Sequence, residues 1–211
     1  SQRLLFMSCS AKKQTSRQLL RKSIRDKRQS LNNLQQQTAS KSLLLQLKNH
    51  KHIQQAQHIA VYLANDSELD AMSFIQWCWQ ENKSVYLPVI HPFSKGHLLF
   101  LKYEKTTKMQ INQYGISEPK LDVTAIKRVA DIDIICTPLV AFDNKGNRLG
   151  MGGGFYDRTL ALWHAEYKTK ASVKPYPVGL AHDCQCVPDI PSEFWDVPLP
   201  EIITPTHRYI F

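Results

Sequence analysis

The stretch TPLVAFDNKGNRLGMGGGFYDR, residues 137–158, contains an apolar strand, a glycine-rich loop and the start of an amphipathic helix. The strand ends at Asp143, and the following loop holds four of the chain's eight glycines, at positions 150, 152, 153 and 154. Glycines before a helix let successive N–H groups point into one concavity, and the helix dipole behind them favours phosphate oxygens. Arg148 adds a bidentate phosphate donor, and Asp157 is a candidate magnesium ligand.

Neither of the common glycine signatures is present in this loop. A GxGxxG match needs a glycine where Phe155 stands, and GxxxxGK[ST] does not occur. An isolated glycine-rich turn is more often a sharp connection between a strand and a helix. The arginine before the glycines and the aspartate after them favour a nucleotide site over that structural alternative.

Strand and helix patterns alternate on both sides of the loop. Strands are predicted at 59–63, 85–90, 97–103, 133–136, 139–142, 176–181 and 201–204, and helices from Ser10 to about Leu47, from about Ala71 to Glu81 and from Phe155. The pattern predicts one α/β domain over residues 1–211, with a three-layer, mainly parallel sheet flanked by helices and a flexible extension at 1–13. Ligands of such sheets bind beyond the carboxyl ends of the strands, which points to Leu63 to Glu68 and to the segment after Phe142.

The composition is that of a soluble globular protein, with 43% hydrophobic and 21% charged residues. No apolar run approaches the roughly 20 residues that span a bilayer, so we expect a cytoplasmic protein without membrane contact. Five cysteines without a CxxC pair favour reduced thiols over a disulfide framework or a zinc site. The formal charge of +9 favours anionic partners but does not choose among them.

The segment RLGMGGGFYD at 148–157, preceded by PLVAFD at 138–143, resembles the signature of the 5-formyltetrahydrofolate cyclo-ligases, also called methenyltetrahydrofolate synthetases. RQLLR at 17–21 resembles the basic ATP-contacting segment of that family, and 63–68 resembles its folate loop. Three further short matches fall in the family's order: Tyr86 to Pro88, Glu118-Pro119 and Ile203 to Pro205. The chain departs from the family at Arg17, where lysine is usual, and at Gly153, where some members carry lysine.

The resemblance implies a fold similar to the sugar-phosphate isomerase and CoA transferase-like fold. It also implies a ligase that closes 5-formyltetrahydrofolate to 5,10-methenyltetrahydrofolate, with ATP as co-substrate, Mg²⁺ as cofactor, and ADP and phosphate as products. In the implied chemistry ATP phosphorylates the formyl oxygen and N10 of the same substrate then attacks. The implied partners are small molecules, namely ATP and a folate with or without a polyglutamate tail, and the protein is expected to be a monomer that binds no nucleic acid.

The resemblance assigns residues to four roles. The catalytic residues are Arg148, Gly152, Gly153 and Gly154, and the magnesium ligands are Asp157 and Asp196. The ATP-binding residues are Arg17, Gln18, Leu19, Leu20, Arg21, Arg148, Leu149, Gly150, Met151, Gly152, Gly153, Gly154, Phe155 and Tyr156. The substrate-binding residues are Leu63, Glu68, Met151, Gly152, Gly153, Gly154 and Phe155. Glu68 would accept hydrogen bonds from the pterin amino edge, with a solvated acid at a helix start as the alternative.

Two other classes of function compete with this interpretation. A nucleic-acid-binding module would use Arg17 to Arg28 as a basic helical face, although the chain contains no RNA-recognition signature. A sugar-phosphate isomerase of related fold would need no ATP, and a fold alone does not separate it from a ligase.

Overall fold

The computed structural model describes the backbone of residues 2–170 and 172–211, and the side chains of residues 11–170 and 172–211. Its helices are α1 (Gln2–Gln29), α2 (Asn33–Lys48), α3 (Lys51–Gln55), α4 (Met72–Gln80) and α5 (Phe155–Tyr167). Its strands are β1 (His58–Ala60), β2 (Ser84–Ile90), β3 (Leu98–Tyr103), β4 (Met109–Ile111), β5 (Ser117–Pro119), β6 (Ile126–Lys127), β7 (Ile134–Pro138), β8 (Ala141–Phe142), β9 (Arg148–Leu149), β10 (Tyr176–Leu180), β11 (Glu201–Ile203) and β12 (Arg208–Ile210). Short 3₁₀ turns occupy Val123–Ala125, Val129–Asp131 and Asp183–Gln185.

Eight strands form the central sheet in the order β12-β11-β10-β7-β1-β2-β3-β6. The five strands from β11 to β2 are parallel, while β12, β3 and β6 each pair antiparallel with their inner neighbour. Two small ribbons, β4-β5 and β8-β9, lie outside this sheet. The predicted α/β fold with a mainly parallel sheet is therefore confirmed, and the carboxyl ends of five parallel strands meet at one edge.

The alternation of side chains along the central strands explains the three layers. Ile59 and Val61 pack with the core formed against α2, α3 and α4, whereas Ala60 between them packs with the core under α5. Ile134 and Ile135 divide between the same two cores. Successive strand residues point to opposite faces, so an apolar run without alternation covers both sides of the sheet.

The N-terminal helical pattern is divided into two main helices at Asn32. The Asn32 side chain accepts from the Gln35 backbone N–H, and the Gln35 side chain accepts from the Asn32 N–H, which is a capping box. Helix α1 extends back to Gln2, so residues 2–13 have helical backbone where the sequence predicted a flexible extension. Ser1 lies outside the described residues, and the mobility of this segment stays a prediction. In the described part of the chain no helix is long and apolar enough to cross a membrane.

Candidate functional site

The glycine loop begins from a tightly fixed turn between β8 and β9. The buried Asp143 carboxylate accepts hydrogen bonds from the backbone N–H groups of Lys145, Asn147 and Ile190. After this turn the chain reverses direction as β9, which places Arg148 at the carboxyl edge of the sheet. Hydrogen bonds to a buried carboxylate explain why the strand that the sequence predicts through Phe142 reverses at this point.

Two glycines of the loop have backbone angles that disfavour other residues. Gly152 has φ of +107° and Gly154 has φ of +68°, in the region where a Cβ is strained. Gly154 is also the N-cap of α5 and makes no side-chain capping hydrogen bond. The first N–H groups of α5 are therefore free of a side-chain cap, as an anion site at a helix N-terminus requires.

Arg148 and Asp157 form an ion pair across the loop. The Arg148 Nη2 atom lies 2.5 Å from Asp157 Oδ1, and the Arg148 side chain is buried. The same carboxylate oxygen accepts the Val197 backbone N–H at 3.0 Å. Arg148 Nε is buried and has no hydrogen-bond partner among the described residues. This arginine therefore keeps an unsatisfied donor at the site where a phosphate is expected.

A second arginine–aspartate pair joins the N-terminal helix to the segment before Val197. Arg17 donates to Asp196 Oδ2 at 2.6 Å and to Oδ1 at 3.1 Å, and it also donates to the Pro191 carbonyl at 2.7 Å. Because Val197 donates to Asp157, the backbone step from Asp196 to Val197 links the two aspartates. The two predicted magnesium ligands are thus close in the fold, and an arginine holds each of them.

Arg21 attaches α1 directly to the glycine loop. Its Nε donates to the Gly150 carbonyl at 2.8 Å, and a Cβ placed on Gly152 would lie 3.6 Å from the Arg21 guanidinium carbon. Burial, and then the neighbouring charge of Arg17, lower the pKa of Arg21. A cation whose charge is disfavoured by its surroundings is a receptive partner for an anion.

The remaining residues predicted to bind ATP divide into exposed and packed side chains. Gln18, Leu19 and Met151 are exposed at the surface. Leu149 is fully buried, and Leu20 packs against the same small core between α1 and the β8-β9 ribbon. The two packed leucines hold the loop against the helix, so a contact with ATP at these positions would come from the backbone.

The predicted folate residues lie on the loop after β1 and beside the glycine loop. The Glu68 carboxylate accepts the Asn65 N–H at 2.9 Å, and burial raises its pKa to about 6. Burial, followed by the Glu68 charge, raises the pKa of Tyr156, which places these two side chains in one electrostatic environment. Leu63, at the start of this loop, packs against the core that includes α2 and α4 and so anchors the loop.

The Phe155 ring lies over Gly153. A Cβ on Gly153 would come within 2.8 Å of that ring, and Tyr114 packs edge-on against it with ring centroids 6.2 Å apart. The turn between β4 and β5 therefore closes over the start of α5. Sequence patterns gave no sign of this cover, because two three-residue strands have no usable periodicity.

Magnesium would depend on the two paired aspartates. Among the described residues no group of three or more His, Cys, Asp or Glu side chains is arranged to hold a metal ion. Mg²⁺ is commonly held by one or two carboxylates together with substrate phosphates, and it keeps several waters. Asp157 and Asp196 fit this mode provided that Arg17 and Arg148 turn to the phosphates, and the assignment stays a prediction.

The sequence analysis gave no site role to three residues at this edge. Arg28 is almost completely buried although it belongs to an apparently basic helical face, and Asp66 receives three side-chain donors from α1. His182 is buried with an unpartnered Nε2 among the described residues, and burial followed by the charge of Arg28 lowers its pKa to about 4. A weak signal for Arg28 was its heptad spacing from Arg21, whereas nothing in the sequence singles out Asp66 or His182.

The fold and the carboxyl edge of its sheet define a class of α/β proteins. In this class a glycine loop and arginine–carboxylate ion pairs are assembled beyond the carboxyl ends of parallel strands. The chain belongs to the 5-formyltetrahydrofolate cyclo-ligase family, whose model matches residues 13–205. It is 50% identical over 187 residues to the 5-formyltetrahydrofolate cyclo-ligase of Haemophilus influenzae, covering 89% of this chain and 96% of the relative.

Two further comparisons agree with that membership. The 5-formyltetrahydrofolate cyclo-ligase of Escherichia coli K12 is 46% identical over 183 residues, covering 87% of this chain and 97% of the relative. The solved 5,10-methenyltetrahydrofolate synthetase of Aquifex aeolicus superposes with a TM-score of 0.76 at 25% identity, covering 92% of each chain. The resemblance of residues 148–157 to this family is therefore confirmed.

Proposed function

We propose that this protein uses Mg²⁺ and ATP to close 5-formyltetrahydrofolate to 5,10-methenyltetrahydrofolate, with release of ADP and phosphate. The observation that carries the proposal is that Arg21 and Arg148 lie at the glycine loop, where Arg148 pairs with Asp157, while Arg17 on the same helix as Arg21 pairs with Asp196. Three guanidinium groups and two carboxylates at a helix N-terminus match the charge pattern of a metal-bound polyphosphate.

The reaction must turn the formyl oxygen into a leaving group. The oxygen attacks the γ-phosphorus of ATP, the bond to the β–γ bridging oxygen breaks, and ADP leaves. N10 then attacks the formyl carbon, the N10 proton is lost, and phosphate leaves with the former formyl oxygen. Catalysis of phosphoryl transfer is mostly alignment and charge neutralisation, so the protein needs fixed donors rather than a covalent nucleophile.

The described residues supply such donors at defined positions. Arg148 has a buried Nε without a partner among the described residues and would turn its guanidinium to the transferring phosphoryl group, and the N–H groups at the start of α5 face the same loop. Arg17 and Arg21 approach from α1 and would hold the ATP phosphates from the other side. When bound, Mg²⁺ supplies positive charge to the phosphate oxygens, and Asp157 and Asp196 would hold it.

Glu68 would fix the folate. A carboxylate accepts two hydrogen bonds side by side, which suits the adjacent N–H groups of a pterin amino edge. Partial burial of the Glu68 carboxylate strengthens such hydrogen bonds, because the local dielectric is low. The same burial disfavours ionisation and raises the pKa of Glu68. Phe155 lies beside Gly153 and would pack against the ring system near the formyl group.

The two rival functions fit the arrangement less well. A nucleic-acid interface needs a free basic helical face, but Arg17 and Arg28 are buried and paired with Asp196 and Asp66. A sugar-phosphate isomerase has no need for the α1 arginines at the glycine loop. The expected monomeric state and cytoplasmic location stay predictions.

A direct assay tests the proposal. Purified protein is mixed with 5-formyltetrahydrofolate, ATP and Mg²⁺, and the methenyl product is followed by its near-ultraviolet absorbance. We expect product only when all three are present, and one ADP for each methenyl group formed. Absorbance that rises equally without ATP, or ATP hydrolysis without methenyl product, would refute the proposed reaction.

A further inference from the structure

Asp66 joins the folate loop to helix α1. Its carboxylate receives Arg25 Nε at 2.6 Å, Arg28 Nη2 at 2.9 Å and Gln29 Nε2 at 2.5 Å. All three donors lie in the last two turns of α1. Three side chains of one helix on a single carboxylate, two residues before Glu68, make a far stronger attachment than a surface ion pair.

The loop at this point has a backbone that needs external support. Asp66 and Ser67 have φ of 51° and 58°, and they are two of the three non-glycine residues with positive φ in the described chain. Non-glycine residues persist in this region only where their surroundings hold them. The α1 donors hold Asp66, and Gln36 of α2 donates to the Ser67 carbonyl at 3.2 Å.

The contact of Asp66 with Arg25, Arg28 and Gln29, called the joint below, is charged and partly buried. Burial opposes ionisation of Asp66, but the hydrogen bonds from Arg25 and Gln29 outweigh it and lower the pKa of the carboxyl group. Arg28 is buried, and its remaining contact within hydrogen-bond range is the Leu139 carbonyl at 3.5 Å, beyond the end of β7. Asp66 is therefore the main counter-charge of a guanidinium enclosed between the helix and the sheet edge.

Helix α1 has a different set of contacts at its other end. Arg17 holds Asp196 and Arg21 holds the Gly150 carbonyl, at the site proposed for ATP. Arg28 lies eleven positions after Arg17 on the helix, a rise of about 16 Å at 1.5 Å per residue. A continuous helix of this length is stiff enough to transmit a shift at one end to the other.

We propose that Asp66 is a positioning residue that couples the ATP site to the folate site by fixing the Glu68 loop to α1. The inference rests on the proposed function, because it needs ATP at Arg17 and Arg21 and folate at Glu68. Movement of α1 when its arginines take up phosphate is passed through Asp66 to the loop, so each ligand improves the binding of the other.

The coupling is measured as a ratio of dissociation constants. The affinity for 5-formyltetrahydrofolate is determined by calorimetry without nucleotide and with a saturating non-hydrolysable ATP analogue plus Mg²⁺. We expect the nucleotide to tighten folate binding about tenfold in the wild type, and Asp66→Asn to reduce the ratio to nearly one. Asp26→Asn is the matched control, because it removes one carboxylate from the exposed face of the same helix and should keep the wild-type ratio.

A second variant keeps the test valid if Asp66→Asn does not fold. Arg25→Gln removes one donor from the more exposed side of the joint and leaves the buried Arg28–Asp66 pair in place. It should lower the coupling ratio part of the way towards one. A merely structural role for Asp66 would lower the melting temperature and both affinities but leave the ratio unchanged.

The outcomes separate the inference from the proposed function. If the wild type forms methenyl product but shows no coupling, or if Asp66→Asn and Arg25→Gln keep the wild-type ratio, the inference is overturned and the function stands. If the wild type binds neither ATP nor folate, the proposed function fails and the inference falls with it. A ratio near one in Asp66→Asn, an intermediate ratio in Arg25→Gln and the wild-type ratio in Asp26→Asn support the coupling.

Discussion

Arg17 donates to both carboxylate oxygens of Asp196, at 2.6 and 3.1 Å, although 179 positions of sequence separate the two residues. Both side chains are more than nine-tenths buried. The pair fastens the N-terminal helix to the C-terminal segment that also meets Asp157 through Val197. The ion pair therefore brings residues from both ends of the chain to the site. It also attaches helix α1 to the rest of the folded domain.

Arg17→Ala should affect stability and ATP binding together. The variant leaves the Asp196 carboxylate buried without its cation, which typically costs about 3–5 kcal/mol of unfolding free energy. The KM for ATP should also rise, because a hydrogen-bond donor proposed for the ATP phosphates is lost. Urea unfolding and steady-state kinetics measure the two effects. Lys22→Ala breaks an exposed pair on the same helix and should change stability by less than about 1 kcal/mol, so equal losses in both variants would contradict this account.

Arg148→Ala should lower turnover, and it should also lower stability because it removes the cation that pairs with the mostly buried Asp157. Its guanidinium pairs with Asp157 and keeps Nε free of any partner in the described chain, so we expect loss of a charge-assisted contact to the transferring phosphoryl group. The expected fall in kcat/KM corresponds to about 2–4 kcal/mol. Arg148→Lys should recover only part of this loss, since an ammonium group cannot offer the bidentate fork. Wild-type ATP kinetics in a folded Arg148→Ala protein would exclude the assignment.

The sequence identified the regular parts of the fold because they carry strong periodic signals. The predicted strand 85–90 matches β2 almost residue for residue, and the predicted helix 71–81 differs from α4 by one residue at each end. The strand predicted at 59–63 stops at Ala60, since the chain leaves the sheet there to form the loop that carries Glu68. Edge strands such as β6 and β12 have two or three residues, too few for a period to show.

Only the part of the site that lies in a continuous sequence motif could be predicted. Arg148 and the glycines lie in one continuous signature, which sequence alone can detect. The ion pairs that organise the site connect Arg17 with Asp196 and Arg28 with Asp66, and such long-range partners depend on how α1 lies across the sheet edge. A basic residue on a helix pattern is usually solvated, and only the packing of α1 shows that Arg28 is not.

Glu68→Gln should weaken folate binding and stabilise the folded protein at neutral pH. The folded-state pKa of about 6 lies above the ordinary value of 4.5, so the folded protein binds this proton more tightly than the unfolded chain. The contribution of Glu68 to stability is therefore fully present below pH 4.5 and is lost as the pH rises through 6, by about 2 kcal/mol. The neutral glutamine avoids this loss, so the variant should exceed the wild type at pH 8 and approach it at pH 5.

Urea unfolding of both proteins at the two pH values measures that difference. Folate recognition should show the opposite pH dependence, because the carboxylate is the acceptor of the proposed pterin hydrogen bonds. The wild-type kcat/KM for 5-formyltetrahydrofolate should fall as the pH drops through about 6, and this step should be absent in Glu68→Gln. Parallel stability curves for the two proteins, or a shared kinetic step, would show that Glu68 is not the titrating group.

Alanine at the loop glycines separates a phosphate cradle from a tight turn. Gly152 and Gly154 have positive φ, so alanine at either position should cost about 1–2 kcal/mol of stability. Gly153 is not in that region, but its added Cβ meets the Phe155 ring at 2.8 Å. That ring is the end of a flexible side chain and can turn aside, so Gly153→Ala should fold with a near-normal melting temperature.

The decisive measurement is the rise in melting temperature on addition of ATP and Mg²⁺, which reports binding to the folded state. The rise should shrink in Gly152→Ala and Gly154→Ala, because a Cβ then stands where phosphate must approach the N–H groups, and most turnover should be lost. Gly115→Ala is the control: Gly115 has φ of +73° and open space around its Cβ position, so it should show the same backbone cost with an undiminished rise. If the rise in Gly152→Ala and Gly154→Ala equals that in Gly115→Ala and turnover persists, the loop serves only to connect β9 with α5.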